Sequence, residues 1–309
     1  MKKVGILLLL SILATSCLQK SSHNLEWISF SWVSDSVSGK YIEKLAIRIP
    51  VIIDDLPYRF TMQLDLGAVT TEFYGKTLKP FIDKYPSLNN KLDTTKVFLT
   101  QGQENQMFRN VNLQLGDVVF RDVDVGLFTN YGQEHTLSET EIHIGTIAPD
   151  LFQDQILIID YKLNRLAVTD KLPLKYNNVS FVEFEIRAGR IKIPFQINGN
   201  IEYLMFDTGA SIFSLVTTKR NALAIGETEI IDSLKVSSWG KYITFYGLKT
   251  IKPIMLGKDT LRNSVVYYDE EASFDDFYLT ENIWGITGNA FFFENVVIID
   301  YKNNRFGVK

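Results

Sequence analysis

The strongest constraint on the fold is an internal repeat that divides the chain into two similar halves. Four segments of the first half return in the same order in the second half, each about 140 residues later. The four pairs are Ile47-Arg48-Ile49-Pro50 with Ile191-Lys192-Ile193-Pro194, Leu64-Asp65-Leu66-Gly67-Ala68 with Phe206-Asp207-Thr208-Gly209-Ala210, Leu115-Gly116 with Leu256-Gly257, and Ile158-Ile159-Asp160-Tyr161 with Ile298-Ile299-Asp300-Tyr301. A repeat this long is too coarse for a solenoid, and two copies are too few for a propeller. The repeat therefore predicts two copies of one lobe related by a pseudo-twofold axis.

Each half has the residue pattern of short β-strands. Runs of β-branched and aromatic residues, such as Val51-Ile52-Ile53 and residues 191–197, are separated by Asp, Asn, Gly and Pro. Helices are expected to be few and short. The helix candidates are residues 74–85 and 148–153 and the segments that follow Thr217 and Asn289. We therefore predict a mainly β, duplicated two-lobe fold whose lobes span residues 41–172 and 173–309.

The N-terminal segment has the pattern of a secretory signal. A basic start at Met1-Lys2-Lys3 is followed by an apolar run over residues 4–14, which is shorter than the about 20 residues that a membrane-spanning helix needs. The small residues before Cys17, the only cysteine of the chain, resemble the lipobox of bacterial lipoproteins. The resemblance implies that residues 1–16 are removed and that Cys17 carries a lipid anchor. Residues 17–40 are then expected to tether the protein to a membrane of the cell envelope, at the outer membrane or the periplasmic face.

Composition and charge exclude several classes of function. The net charge is −4, and lysines and arginines form no cluster along the chain, so we expect no nucleic-acid partner. None of the three histidines is spaced with other ligands as in a zinc site, and no serine lies in a nucleophile-elbow pattern. We expect no metal and no cofactor, and we expect the protein to be a monomer.

The residues most suited to chemistry are two aspartates at equivalent positions of the repeat. Asp65 and Asp207 each follow a hydrophobic strand and each precede a glycine by two residues, which allows a sharp turn at the end of the strand. A twofold axis would bring the two carboxylates against each other. Because two such groups at roughly 3 Å cannot both ionise, they share a proton, and one can activate water while the other donates to a substrate carbonyl.

These aspartate loops resemble those of the pepsin and retropepsin superfamily of aspartic proteases. The segments that carry the resemblance are Asp207-Thr208-Gly209-Ala210, its weaker twin Asp65-Leu66-Gly67-Ala68, and the elements Ile142-His143-Ile144-Gly145 and Trp284-Gly285-Ile286-Thr287-Gly288-Asn289. The resemblance implies two β-rich lobes and a cleft between them that binds an extended peptide or protein substrate. It also implies a water molecule held by both aspartates and a hairpin flap that closes over it.

The resemblance implies roles for single residues of an endopeptidase. Asp65 and Asp207 would be catalytic. The residues that would support the active-site loops are Gly67, Thr208, Gly209 and Gly288. The candidate flap turns are Gln101-Gly102-Gln103, Trp239-Gly240 and Tyr246-Gly247. Ala68 and Ala210 stand where many pepsin-like enzymes have a hydroxyl that stabilises the carboxylate, so we expect a pH optimum less acidic than that of gastric enzymes.

Departures from the family pattern keep other functions open. Leu66 replaces a threonine whose hydroxyl braces the opposite loop in the family, and Ala148 aligns with Gly288. The second hypothesis is a peptide-binding lipoprotein that kept the cleft but lost turnover. The third hypothesis is a structural role in an envelope assembly. Asp160 and Asp300 also recur, but each begins a turn after an apolar strand and is expected to be structural.

Overall fold

The computed structural model of the protein describes residues 25–100, 102–238, 240–261 and 264–309. Strands make up 53% and helices 15% of the structure, and the sheets are curled. The predicted mainly β class with few short helices is therefore confirmed. The predicted signal (residues 1–16) and the predicted lipidation site at Cys17 lie outside the described residues.

The described part of the first half contains eleven strands and two α-helices. The strands are β1 (Ile28–Ser29), β2 (Ser31–Val37), β3 (Lys40–Ile53), β4 (Phe60–Leu64), β5 (Glu72–Tyr74), β6 (Leu92–Thr100), β7 (Gln103–Leu115), β8 (Val118–Phe128), β9 (Ile142–Ile147), β10 (Ile156–Asp160) and β11 (Arg165–Thr169). The helices are α1 (Gly75–Lys84) and α2 (Pro86–Asn89), and short 3-10 helices follow at Pro149–Phe152 and Leu174–Tyr176.

The described part of the second half repeats this composition. Its strands are β12 (Phe181–Glu183), β13 (Glu185–Arg187), β14 (Arg190–Ile197), β15 (Asn200–Phe206), β16 (Leu215–Thr217), β17 (Gly226–Ser238), β18 (Lys241–Thr250), β19 (Ile254–Leu256), β20 (Asp259–Leu261), β21 (Val265–Asp269), β22 (Gly285–Thr287), β23 (Val296–Asp300) and β24 (Arg305–Val308). The helices are α3 (Lys219–Ile225) and α4 (Asp275–Glu281), with 3-10 helices at Thr208–Ala210 and Asn289–Phe291.

Three sheets organise these strands. First-half strands form an eight-stranded sheet in the order β2-β3-β4-β9-β5-β8-β7-β6. Second-half strands form a ten-stranded sheet in the order β17-β18-β21-β16-β22-β15-β14-β19-β20, with β13 on β14. The third sheet, β1-β11-β10-β23-β24-β12, takes strands from both halves, and the repeat-equivalent residues Ile158 and Ile298 are direct partners in it. Equivalent strands therefore join the two halves.

The strands that precede the two aspartates have the same neighbours in both halves. β4 runs parallel to β9, which pairs antiparallel with β5. In the second half β15 runs parallel to β22, which pairs antiparallel with β16. The repeat in the sequence is thus also a repeat of strand pairing around Asp65 and Asp207.

The C-terminal part of the predicted tether, residues 17–40, contributes strands to the sheets. β1 pairs with β11, and β2 pairs with β3. Ile28 and Phe30 are buried in the main hydrophobic core, and burial of such side chains stabilises the folded state by about 2 kcal/mol each. Ser34 and Ser36 are exposed residues of β2.

Two of the four α-helices, α2 and α4, lie outside the predicted helix candidates. α1 coincides with the candidate at residues 74–85, whereas α4 was not predicted. Asp275 and Asp276 lie in the first turn of α4, and Asn282 ends it in the left-handed conformation, so the usual start and stop signals were present. None of the helices in the described residues is long and apolar enough to cross a membrane.

Candidate active site

Asp65 and Asp207 lie at the ends of two equivalent strands, β4 and β15. The N–H of Asp65 donates to the carbonyl oxygen of Ile147 at 2.9 Å, and the N–H of Asp207 donates to that of Thr287 at 2.9 Å. Each aspartate is thus fixed by the parallel neighbour of its own strand. Beyond this bond each chain turns away from the sheet.

Backbone N–H groups within each loop orient the carboxyl group. Oδ1 of Asp65 accepts hydrogen bonds from the N–H groups of Gly67 at 3.0 Å and Ala68 at 3.1 Å. Oδ1 of Asp207 accepts one from the N–H of Gly209 at 2.7 Å. These bonds hold one oxygen of each carboxyl group inside its own loop.

The glycine of each loop lies against the aspartate of the other loop. A β-carbon added to Gly67 would lie 2.3 Å from Cγ of Asp207, and one added to Gly209 would lie 2.8 Å from Oδ2 of Asp65. Any larger residue at Gly67 would collide with the Asp207 carboxyl group. The structure therefore places the two carboxyl groups, which are 142 positions apart in the sequence, next to each other.

The two carboxyl groups titrate as a pair. Burial raises the pKa of Asp65 well above its ordinary value, and the negative charge of Asp207 adds to the effect. Burial also raises the pKa of Asp207, although the hydrogen bond from Asp65 opposes that rise. The pair therefore retains a proton to higher pH than ordinary aspartates do. Asp65 remains 8% exposed and Asp207 is half-buried, so both lie at the edge of solvent.

The hydroxyl of Thr208 connects the two loops. It donates to the carbonyl oxygen of Leu64 at 2.8 Å and accepts from the N–H of Leu66 at 2.9 Å. Leu66 itself is fully buried and has no hydroxyl with which to make the reciprocal bonds. The loops are braced by a hydroxyl from one side alone.

Gly288 supports the second loop because its position has no room for a side chain. A β-carbon there would lie 2.0 Å from the carbonyl oxygen of Ala210. The next residue, Asn289, is a supporting residue that the sequence did not reveal. Its amide Nδ2 donates to the carbonyl oxygen of Thr208 at 3.1 Å and to Oγ of Ser211 at 3.0 Å, and its position directly after Gly288 was the available signal.

Ala148 stands at the position equivalent to Gly288 and is held by a different set of bonds. Its N–H donates to Oγ1 of Thr71 at 3.1 Å, and that hydroxyl donates to Oδ1 of Asp150 at 2.6 Å. The Ala148 side chain is fully buried. The loss of glycine in the first half is thus accommodated by local packing and by a threonine–aspartate pair.

A cleft of about 660 Å³ lies beside the second aspartate loop. Its walls come from that loop, from the hairpin of β2 and β3, and from the hairpin of β17 and β18. The residues that line it include Asp35, Val37, Gly209, Ala210, Ile212, Phe213, Lys235, Val236 and Tyr242. The cleft offers apolar and charged side chains to a ligand, and it adjoins the second loop at Gly209 and Ala210, whereas Asp65 and Asp207 themselves do not line it.

Of the three candidate flap turns, the structure describes all residues only of Tyr246-Gly247. Gln101 and Trp239 lie outside the described residues, although the adjoining strands form the hairpins β6–β7 and β17–β18. Tyr246-Gly247 is not a turn, because both residues lie inside β18, where they pair with β17 and β21. The aromatic–glycine pair here reflects close packing of Gly247 against Tyr267 and Val265.

The repeated aspartates Asp160 and Asp300 are the last residues of β10 and β23, directly before the turns that their sequence context suggested. Asp160 accepts hydrogen bonds from the N–H of Leu163 and from Nε of Arg165. Asp300 accepts equivalent bonds from the N–H of Asn303 and from Nε of Arg305. They stabilise hairpin turns.

A buried ion triad next to the first loop was missed by the sequence reasoning. Nε of Arg190 donates to the carbonyl oxygen of Gly67 at 2.6 Å, and its Nη1 donates to Glu281 at 3.0 Å. The ammonium group of Lys192, which is fully buried, also contacts Glu281. Lys192 interrupts the apolar run of β14, and this was its only sequence signal.

Comparison with known proteins adds no assignment, since no protein-family model and no curated protein sequence matches the chain. No group of three or more His, Cys, Asp or Glu side chains within the described residues could hold a metal ion. What the protein does is therefore inferred from the geometry of the aspartate loops.

Proposed function

We propose that the protein is an aspartic endopeptidase that hydrolyses peptide bonds with water activated between Asp65 and Asp207. The observation that carries the proposal is the contact of each loop glycine with the carboxyl group of the opposite loop. This contact brings together two carboxyl groups with raised pKa values at the edge of solvent. Such a pair is suited to acid–base chemistry on a bound water molecule.

The proposed fold is the duplicated two-lobe arrangement of the acid proteases, with lobes at residues 41–172 and 173–309. The equivalent neighbours of β4 and β15 support it, and so does the direct pairing of Ile158 with Ile298, which is the pairing that a local twofold axis produces. The cleft beside Gly209 and Ala210 would accept the substrate, an extended segment of a peptide or protein.

The proposed chemistry uses the single proton that the two carboxyl groups share. The ionised carboxylate takes a proton from the water molecule, whose oxygen attacks the peptide carbonyl carbon. The protonated carboxyl group gives its proton to the carbonyl oxygen, which produces a neutral tetrahedral intermediate. The carboxyl group that took the proton from water then gives it to the leaving nitrogen as the C–N bond breaks, and the other carboxylate takes a proton from a hydroxyl of the intermediate, which restores the starting protonation of the pair.

The proposed location is the bacterial cell envelope, with the protein anchored as a monomer by a lipid on Cys17. This follows from the signal-like pattern of residues 1–16. Intact-mass measurement of the protein purified from membranes tests it. The expected mass is that of a chain beginning at a diacylated cysteine, and a mass that retains Met1 would contradict the proposal.

A second candidate function is peptide binding without turnover, and Leu66 is the observation that favours it. This fully buried leucine makes none of the bonds of the threonine that the family has there. Under this alternative, the wild type and Asp207→Asn would bind a peptide equally, and neither would cleave it.

Single carboxyl substitutions distinguish the two functions. Asp65→Asn and Asp207→Asn are each expected to lower kcat on a cleaved peptide by about a thousandfold or more, with the unfolding transition retained. Asp276→Asn is the matched control, because Asp276 is an exposed carboxylate. Equal hydrolysis by all three variants would reject the dyad as the origin of the activity.

A further inference from the structure

Arg190 reaches from the second half of the chain to the first aspartate loop. It begins β14, directly after a hairpin turn at Gly189 that lies against Val69, where a β-carbon on Gly189 would be 2.8 Å from Cγ1 of Val69. From there Nε of Arg190 donates to the carbonyl oxygen of Gly67 at 2.6 Å. The guanidinium group therefore contacts the loop that carries Asp65.

Two buried charges hold the Arg190 side chain in place. Its Nη1 donates to Oε1 of Glu281 at 3.0 Å, and the other oxygen of Glu281 contacts the ammonium group of Lys192. The exposed fractions of these side chains are 21% for Arg190, 9% for Glu281 and 0% for Lys192. A planar guanidinium group can bond Gly67 and Glu281 at once in a fixed geometry, which a lysine cannot reproduce.

The repeat provides no equivalent cation on the other side of the aspartate pair. The alignment of residues 47–50 with residues 191–194 places Ala46 opposite Arg190. The second loop is instead anchored by a neutral bond, from Oγ of Ser211 to the carbonyl oxygen of Lys44 at 2.7 Å. Among the described residues, the position equivalent to Arg190 in the repeat is thus uncharged.

We propose that Arg190 is a positioning residue that makes Asp207 the ionised member of the pair and leaves the shared proton on Asp65. Gly67 transmits the effect, since it receives the Arg190 bond and lies against the Asp207 carboxyl group. Burial raises the pKa of Asp207, the hydrogen bonds from Asp65, Gly209 and Ala210 oppose that rise, and the positive charge of Arg190 opposes it further, by a smaller amount. Asp207 then activates the water molecule, and Asp65 donates to the substrate carbonyl. This inference rests on the proposed endopeptidase function.

The Arg190 bond also accounts for how the first loop keeps its geometry without a threonine at position 66. The fully buried Leu66 offers no hydroxyl to the opposite loop. Arg190 provides an alternative tie between the halves, at the carbonyl of the next residue, Gly67. Its removal should therefore affect turnover more than substrate affinity.

The test uses the full chain with Arg190→Gln, Arg190→Lys and the control Arg187→Gln. Arg187 is the cross-strand partner of Arg190 and pairs with Glu185 at the surface, so its loss removes a nearby cation without touching Gly67. Arg190→Gln should still fold, because Glu281 keeps its contact with Lys192. The first readout is the ¹³C chemical shift of the Asp65 and Asp207 carboxyl carbons across pH, assigned with the two Asp→Asn variants.

Arg190→Gln is expected to raise the pKa of Asp207 and so to move the acidic limb of the pH–rate profile up by about one pH unit. It is also expected to lower kcat about tenfold, with KM little changed. Arg190→Lys is expected to preserve the titration but not kcat, and Arg187→Gln to preserve both. Unchanged titration curves in Arg190→Gln would overturn the proposal and leave Arg190 as a structural brace. If the wild type cleaves nothing, the endopeptidase function fails, yet the carboxyl titration still decides the role of Arg190.

Discussion

The hydroxyl of Thr208 donates a hydrogen bond to the carbonyl oxygen of Leu64 at 2.8 Å. This bond connects the two aspartate loops through residues that are 144 positions apart in the sequence. The hydroxyl oxygen of Thr208 also accepts a hydrogen bond from the N–H of Leu66. One side chain therefore satisfies two buried backbone groups of the opposite half. The contact of the two aspartate loops depends on this hydroxyl, because Leu66 has none to contribute.

Replacing Thr208 by valine should destabilise the protein. The side-chain volume is kept, but the carbonyl of Leu64 and the N–H of Leu66 lose their partner, so the free energy of unfolding should fall by about 2 to 4 kcal/mol. Urea unfolding followed by circular dichroism measures the change. Thr208→Ser keeps the hydroxyl and should lose much less, and equal losses in the two variants would show that the hydroxyl does not connect the loops.

Features that are local in the sequence or repeated in it could be predicted. Runs of β-branched and aromatic residues predicted strands, and the repeat selected Asp65 and Asp207, whose loops the fold brings into contact. Features that depend on contacts between distant, unrepeated residues could not be predicted from the sequence. Glu281 is 89 residues from Lys192, so no local sequence pattern joins it to the two cations of the triad. The strand β2 was missed because its residues are exposed or only half-buried, so it lacks the apolar run of a covered strand.

The pH dependence of hydrolysis follows from the raised pKa values of the pair. Because burial raises the pKa of Asp207 above its ordinary value of 3.8, the ionised form needed to activate water should disappear at a higher pH than in an exposed aspartate. The rate should therefore fall steeply on acidification. A profile of kcat/KM against pH checks this, and a maximum below about pH 3 would be inconsistent with it.

Glu72 should make the protein less stable as the pH rises. This buried carboxyl group accepts a hydrogen bond from Thr100 at 3.0 Å, and its Oε1 finds no partner among the described residues. Burial raises its pKa from 4.5 to about 7, so the folded state binds its proton more tightly than the unfolded state does. The stability is then complete below about pH 4.5 and declines by roughly 3 kcal/mol as the pH rises through 7.

The variant Glu72→Gln isolates this contribution because it cannot ionise. As the pH rises from about 4.5 to 7, the unfolding free energy of the wild type should fall relative to that of Glu72→Gln. Urea unfolding of both proteins at a series of pH values measures this difference. Other buried carboxyl groups, such as Asp65, cancel in the difference. A constant difference over this range would show that Glu72 does not titrate there.

Asp300 should matter for stability and not for chemistry. Its side chain is fully buried and bonds Nε of Arg305 at 2.7 Å. Asp300→Ala leaves the arginine without its partner, so the free energy of unfolding should fall by about 3 kcal/mol, while kcat of the folded fraction should be unchanged. Asp276→Ala, at an exposed carboxylate in the first turn of α4, should leave kcat unchanged and lower the free energy of unfolding by less than about 1 kcal/mol. A loss of kcat in folded Asp300→Ala would assign this residue a role in the site.

The most direct test of the central claim is to look for new peptide termini. The chain from Ser21 onward, as wild type and as Asp207→Asn, is incubated with a complex peptide mixture at pH values from about 3 to 7, and the products are sequenced by mass spectrometry. Cleavage by the wild type alone is the predicted result, and it would also reveal the side-chain preference of the cleft. No cleavage by a wild type whose folding has been demonstrated would contradict the endopeptidase proposal and favour a peptide-binding protein.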